Sequence, residues 1–107
     1  MAFDAHDRSL ELLRALAPLL RRLSGIDPDL ERQLRRAAMS THLNIAEGNR
    51  RKGRDRKNRF RISLGSAAEV AACFEVAEAF GYVDDAEVAV VHRLVDRIRA
   101  MTYRLAS

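Results

Sequence analysis

Apolar positions along the chain recur three and four residues apart, and no stretch alternates with period two, so the pattern predicts helices throughout. In a first segment, about residues 4–23, Leu10, Leu13, Ala17 and Leu20 form one stripe, with Leu12, Leu16, Leu19 and Leu23 beside it. Adjacent stripes give a broad apolar face. Pro18 lies inside this segment, where a missing N–H and a ring clash are expected to kink the helix near Ala17. A break into two short helices is the alternative, although Ala17 is a poor cap. The stretch "SGIDPD" then reads as a turn, with Asp27 as N-cap and Pro28 at the first helical position. A second helix, about 28–47, carries Leu30, Leu34, Ala37, Thr41 and Asn44 on one stripe and Ala38 and Ile45 beside it. Its small residues let a neighbouring backbone come close, and Gly48 reads as its stop.

The third helix is expected over about 55–80, capped by Asp55 and ended by Gly81. Phe60, Leu64, Ala67, Ala71 and Phe74 make one stripe. Ile62, Ser66, Glu69, Cys73, Val76 and Phe80 make another, offset by two residues and so nearly opposite. A helix apolar on two sides needs two covers, which implies the bundle core on one side and another subunit on the other. "YVDDAE" is the last turn, with Asp84 or Asp85 capping a helix over about 85–105. There Val88, Val91, Val95, Ile98, Thr102 and Leu105 form a bundle seam. Short turns join antiparallel neighbours, so the pattern predicts one domain over 1–107, an all-α, up-down, antiparallel four-helix bundle.

Charge changes this picture at one place. The 107 residues carry a formal net charge of +4, and seventeen of the nineteen cations are arginine. Between Arg50 and Arg61 stand eight of these cations and one acid, Asp55, so this window holds +7 and the rest of the chain −3. Much of that charge falls at the start of a helix, an end already positive from its aligned peptide dipoles. Cations gathered there oppose folding, which points to a polyanion outside the monomer. Arginine suits such a ligand, because its planar fork meets two phosphate oxygens at once.

Other chemistry is sparse. The single cysteine, Cys73, excludes an intramolecular disulfide and a Cys-based zinc site, and between Ala72 and Phe74 it reads as a small core residue. His6, His42 and His92 fall in three different helices and share no ligand motif. No Glu-x-x-His spacing of a di-iron bundle, phosphate-binding glycine loop or nucleophile motif is present. No catalytic residue, cofactor or metal site is therefore expected. The start "MAFDAHDRS" lacks the pattern of a secretory signal, and the longest apolar run, "ALAPLL", is far short of a membrane span. The expectation is a cytoplasmic protein with no membrane contact.

Two polar signatures flank the basic window: "NIAEG" at Asn44–Gly48 and "GSAAE" at Gly65–Glu69. Glu47 lies near a helix C-terminus, where the dipole disfavours a carboxylate, so it needs an arginine such as Arg51. Asn44 and Glu69 sit on stripes that look buried. The economical reading joins Asn44, Glu47, Ser66 and Glu69 in one polar network pinning the second helix to the third. "QLRRAAMSTHLNIAEGNRR", followed by "LGSAAE" and "FGYVDD", resembles the bacterial four-helix-bundle family of 23S ribosomal RNA intervening-sequence proteins. The likeness spans nearly the whole chain and is strongest over Gln33–Asp85. It implies a ring-shaped homo-oligomer, a pentamer, without established enzyme activity. The accessory variability determinant of diversity-generating retroelements looks like a relative; it implies nucleic-acid binding beside a reverse transcriptase or other protein partner. Two positions depart from the family pattern: His42, where proline is frequent after the serine at 40, and Arg59, where a large apolar residue is common before Phe60.

Three functions follow for comparison. In the first, a non-enzymatic oligomer binds RNA or DNA through Arg50, Arg51, Lys52, Arg54, Arg56, Lys57, Arg59 and Arg61, with phosphate contacts and low sequence specificity. In the second, the chain is an interaction scaffold or accessory subunit, and the basic run is solvated or pairs with a neighbouring subunit's acids. An enzyme is the third, and the sequence offers nothing to build one from.

Overall fold

Four helices, α1 (Ala2–Ile26), α2 (Pro28–Asn49), α3 (Gly53–Ala79) and α4 (Asp85–Ala106), make up the computed structural model of the chain. It describes residues 2–107, with side chains from Asp4 onward. Each helix packs on the next, and α4 returns to α1, so the four close into a bundle about 42 × 23 × 19 Å. Neighbours run antiparallel. Ser9 of α1 meets His42 of α2, Ser40 of α2 meets Ser66 of α3, and Arg22 near the end of α1 reaches Glu87 at the start of α4.

Local chemistry sets most of the ends. Asp27 is the one residue between α1 and α2. Its carboxylate accepts from the Leu30 N–H at 3.1 Å, and Pro28 follows at the first helical position, as expected. Asp84 caps α4 in a reciprocal box: its side chain accepts from the Glu87 N–H at 2.8 Å, and Glu87 accepts from the Asp84 N–H at 3.2 Å. At the end of α3 the Gly81 N–H bonds to Glu78 O and the Tyr82 N–H to Ala77 O, the paired closure of a Schellman motif. α1 is longer than the pattern suggested and is not divided at Pro18.

Two expected ends differ. Gly48 does not stop α2; it lies buried within the last turn, and the helix runs on to Asn49. Asp55 does not cap α3, which begins at Gly53 with Lys52 as N-cap and no capping side chain. Gly53 makes this earlier start possible, because its φ of +62° is one that a side chain disfavours.

The core is continuous. α1 contributes Leu12, Leu16, Leu19 and Leu23, α2 Leu34 and Ile45, α3 Phe60, Val70 and Phe74, and α4 Val91, Val95 and Ile98. A fully buried leucine or phenylalanine contributes roughly 1.5–3 kcal/mol relative to exposure. Ser9, Thr41, Ser63 and Thr102 are buried too, and each donates its hydroxyl to a backbone carbonyl. The inward face of α3 runs Phe60, Ser63, Ala67, Val70, Phe74 and Ala77, the three-and-four spacing of a bundle seam. Of the second stripe, Cys73 joins the core, whereas Ile62, Val76 and Phe80 remain exposed in the single chain. Among the described residues no helix is long and apolar enough to cross a membrane.

Candidate nucleic-acid interface

Four contacts join α2 to α3: Ser40–Ser66, Ser63–Thr41, Arg56–Gly48 and Phe60–Gly48. Ser40 and Ser66 share a hydroxyl hydrogen bond of 2.7 Å. Ser63 donates to Thr41 O at 2.8 Å. Arg56 donates to Gly48 O at 3.0 Å, satisfying a carbonyl at the end of α2. The same guanidinium lies over the Phe60 ring, 4.9 Å from its centre. The ring is pressed against Gly48 so closely that a Cβ there would stand 2.7 Å from Phe60 Cε1. Gly48 is therefore a contact surface, and its small size sets the approach of the two helices.

The expected four-residue network divides. Asn44 donates to Ser40 O at 2.9 Å and to Ser40 Oγ at 3.1 Å, so Asn44, Ser40 and Ser66 form one chain across the helix pair. Glu47 belongs elsewhere: at three and four residues it reaches Arg50 at 2.8 Å and Arg51 at 3.1 Å. Glu69 is exposed and, among the described residues, joins neither group, although Ser66 of the same stripe meets Ser40 and Cys73 is buried in the core. The arginine partner expected for Glu47 is present, and that hydrogen bond from Arg51, with the nearby charge of Arg50, holds its carboxyl below the usual range.

The eight cations divide as well. Arg51 also donates to Asp55 at 3.0 Å, and Arg59 stands 3.8 Å from the same carboxylate. Arg50, Arg51 and Arg59 are thus matched to acids, and Arg56 is committed to Gly48 O and Phe60. Lys52, Arg54, Lys57 and Arg61 are exposed and, among the described residues, face no carboxylate partner. Arg54, Lys57 and Arg61, spaced three and four apart, occupy one face of α3. With Gly53 they line a shallow depression, and Arg54 and Arg61 with Asp55 and Asn58 line an adjoining one. The first N–H groups of α3 open toward the same region without a side-chain cap. Sequence reasoning named all eight cations but missed Ser40, Ser63, Gly48 and Phe60. The ion pairs among Glu47, Arg51, Asp55 and Arg59 were present as four-residue spacings.

Cys73 is buried, and burial first, with the Glu69 charge second, pushes its thiol pKa up, which disfavours the nucleophilic thiolate. Fold and site together define a small all-helical protein with a cluster of exposed, unpaired cations, Lys52, Arg54, Lys57 and Arg61, beside one inter-helix corner.

The chain belongs to the 23S rRNA-intervening sequence protein family, whose model matches residues 4–104. Its fold is similar to that of a protein of unknown function from the S23 ribosomal protein family of Bacteroides thetaiotaomicron, with a TM-score of 0.84. The two are 21% identical, over 96% of this chain and 98% of the other. No curated protein matches the sequence.

Proposed function

We propose that this chain is a non-enzymatic, self-associating helical bundle that binds RNA or DNA, with low sequence specificity, through the α2–α3 corner. The observation that carries the reading is the set of four unmatched cations, Lys52, Arg54, Lys57 and Arg61, around an uncapped helix start. Neighbouring acids do not neutralise them, and the dipole end on which Lys52 and Arg54 sit adds positive potential, so a phosphate backbone relieves their mutual repulsion. Base-edge readout has little support, because Phe60 is the one aromatic in the basic window and it is buried. The ring of five copies implied by family resemblance repeats the corner around one rim and raises avidity without a new contact type. The exposed Ile62, Val76 and Phe80 supply apolar surface for that association.

The test is a salt titration of binding to a short single-stranded RNA and a DNA duplex. The parent is compared with a variant carrying Arg54→Gln, Lys57→Gln and Arg61→Gln. Binding should weaken steeply with salt, by about 0.9 log unit per log unit of salt for each duplex phosphate neutralised, and the triple variant should lose roughly two to three contacts of that slope. Equal affinity and slope for the two proteins would sink the assignment.

A second reading, an interaction scaffold or accessory subunit without a nucleic-acid role, is favoured by the same exposed apolar residues, with Met39 and Leu43 on α2. It predicts self-association or partner capture in a chain that ignores polynucleotide even at low salt.

A further inference from the structure

The fold brings together two histidines that lie far apart in the chain. His6 on α1 and His42 on α2 have ring centres 4.9 Å apart and planes inclined by 56°. The surroundings of His42 fix which of its ring nitrogens is free. Ser9 Oγ donates its one hydrogen to His6 O at 2.8 Å. At its 2.8 Å contact with His42 Nδ1 it must therefore accept, so the neutral His42 ring carries its hydrogen on Nδ1 and keeps a lone pair on Nε2. His6 turns Nδ1 toward Asp7 Oδ1 at 3.6 Å, which leaves its own Nε2 for other work. The hydrogen bond of Nδ1 to Ser9 orients the His42 ring in the way usual for an imidazole that binds a metal through its other nitrogen.

The spacing suits a shared ion. With a zinc–nitrogen bond of about 2.0 Å, each ring centre lies roughly 3.2 Å from the metal, and two rings at a tetrahedral angle have centres roughly 5 Å apart. We propose that His6 and His42 form a two-nitrogen site for a borderline divalent transition ion such as Zn²⁺, clipping α1 to α2. Among the described residues no group of three or more His, Cys, Asp and Glu side chains converges, so solvent completes the coordination. Both rings are only partly buried, which leaves the ion a way in. The inference is independent of the nucleic-acid reading.

Calorimetric titration of the full chain with ZnCl₂ tests it. One equivalent should bind saturably, and His6→Gln or His42→Gln should each weaken binding at least tenfold, whereas His92→Gln and Cys73→Ser should bind as the parent does. In parallel, NMR of the parent should show zinc moving the Nε2 resonances of His6 and His42 and leaving those of His92 in place, a readout that survives if a variant fails to fold. No saturable binding, unchanged affinity in folded His42→Gln, or a response confined to His92 or Cys73 overturns the proposal.

Discussion

Replacing Gly48 with alanine places a carbon 2.7 Å from Phe60 Cε1, 2.8 Å from Cζ and 3.0 Å from Cδ1. Carbon atoms in contact prefer about 3.5–4.0 Å, so the ring and the α2 backbone must part by roughly 1 Å. Neither side yields easily. Phe60 is fully buried, and the Arg56 guanidinium lies over its face while donating to the carbonyl of Gly48 itself. Overpacking of this kind costs about 1–3 kcal/mol. The better helix propensity of alanine offsets at most ~1 kcal/mol of that, and less in a last turn. A net loss of about 1–2 kcal/mol corresponds to a melting temperature lower by roughly 5–10 °C in a chain of this size. Thermal denaturation followed by circular dichroism, at one fixed protein concentration, measures it. Gly65→Ala is the matched control: that glycine is exposed within α3, and a Cβ there meets nothing within 4 Å. It should gain about 0.5–1 kcal/mol. In a Phe60→Leu background the cost of Gly48→Ala should shrink, since the colliding ring is gone. If Gly48→Ala melts at or above the parent while Gly65→Ala gains as expected, the steric argument is refuted.

Two further outcomes follow from the same corner. Glu47 has its folded pKa depressed, so its pairing with Arg51 and Arg50 stabilises the fold fully above its ordinary value of 4.5, and that share is lost as pH falls through the folded value; carboxyl NMR should place its midpoint below 4.5, returning toward 4.5 in Arg51→Gln. Arg56→Ala removes a charged hydrogen bond and a ring contact, so it should cost about 1–3 kcal/mol of stability in denaturant titration and leave the salt dependence of polynucleotide binding unchanged; a loss of slope with no loss of stability would show that Arg56 contacts the ligand instead.

The sequence made the helix count and several ends legible because those signals are local. Asp27 before Pro28, and Asp84 three residues before Glu87, satisfy their own helix N–H groups whatever the rest of the chain does. Gly48 was misread for the opposite reason. Its role depends on Phe60, which arrives from the next helix, and a glycine near a helix end looks the same whether it terminates the helix or receives a ring. Glu69 failed on phase: the stripe through Ser66 and Cys73 was traced correctly, but the sequence does not say how far α3 is rotated toward its neighbours. The eight cations were found at once, whereas their division into matched and unmatched groups needed Asp55 assigned as an acid in the first turn of α3, not as its cap. The His6–His42 contact, across 36 positions, has no local signature at all.

A lone aspartate joins α1 to α2, while three residues span the next corner and five the last. With so short a tether the first two rods cannot slide past one another without unravelling an end. The link itself therefore sets the register of α1 against α2, whereas α2 and α3, joined by a longer link, are held in register by the Ser40–Ser66, Ser63–Thr41 and Arg56–Gly48 contacts.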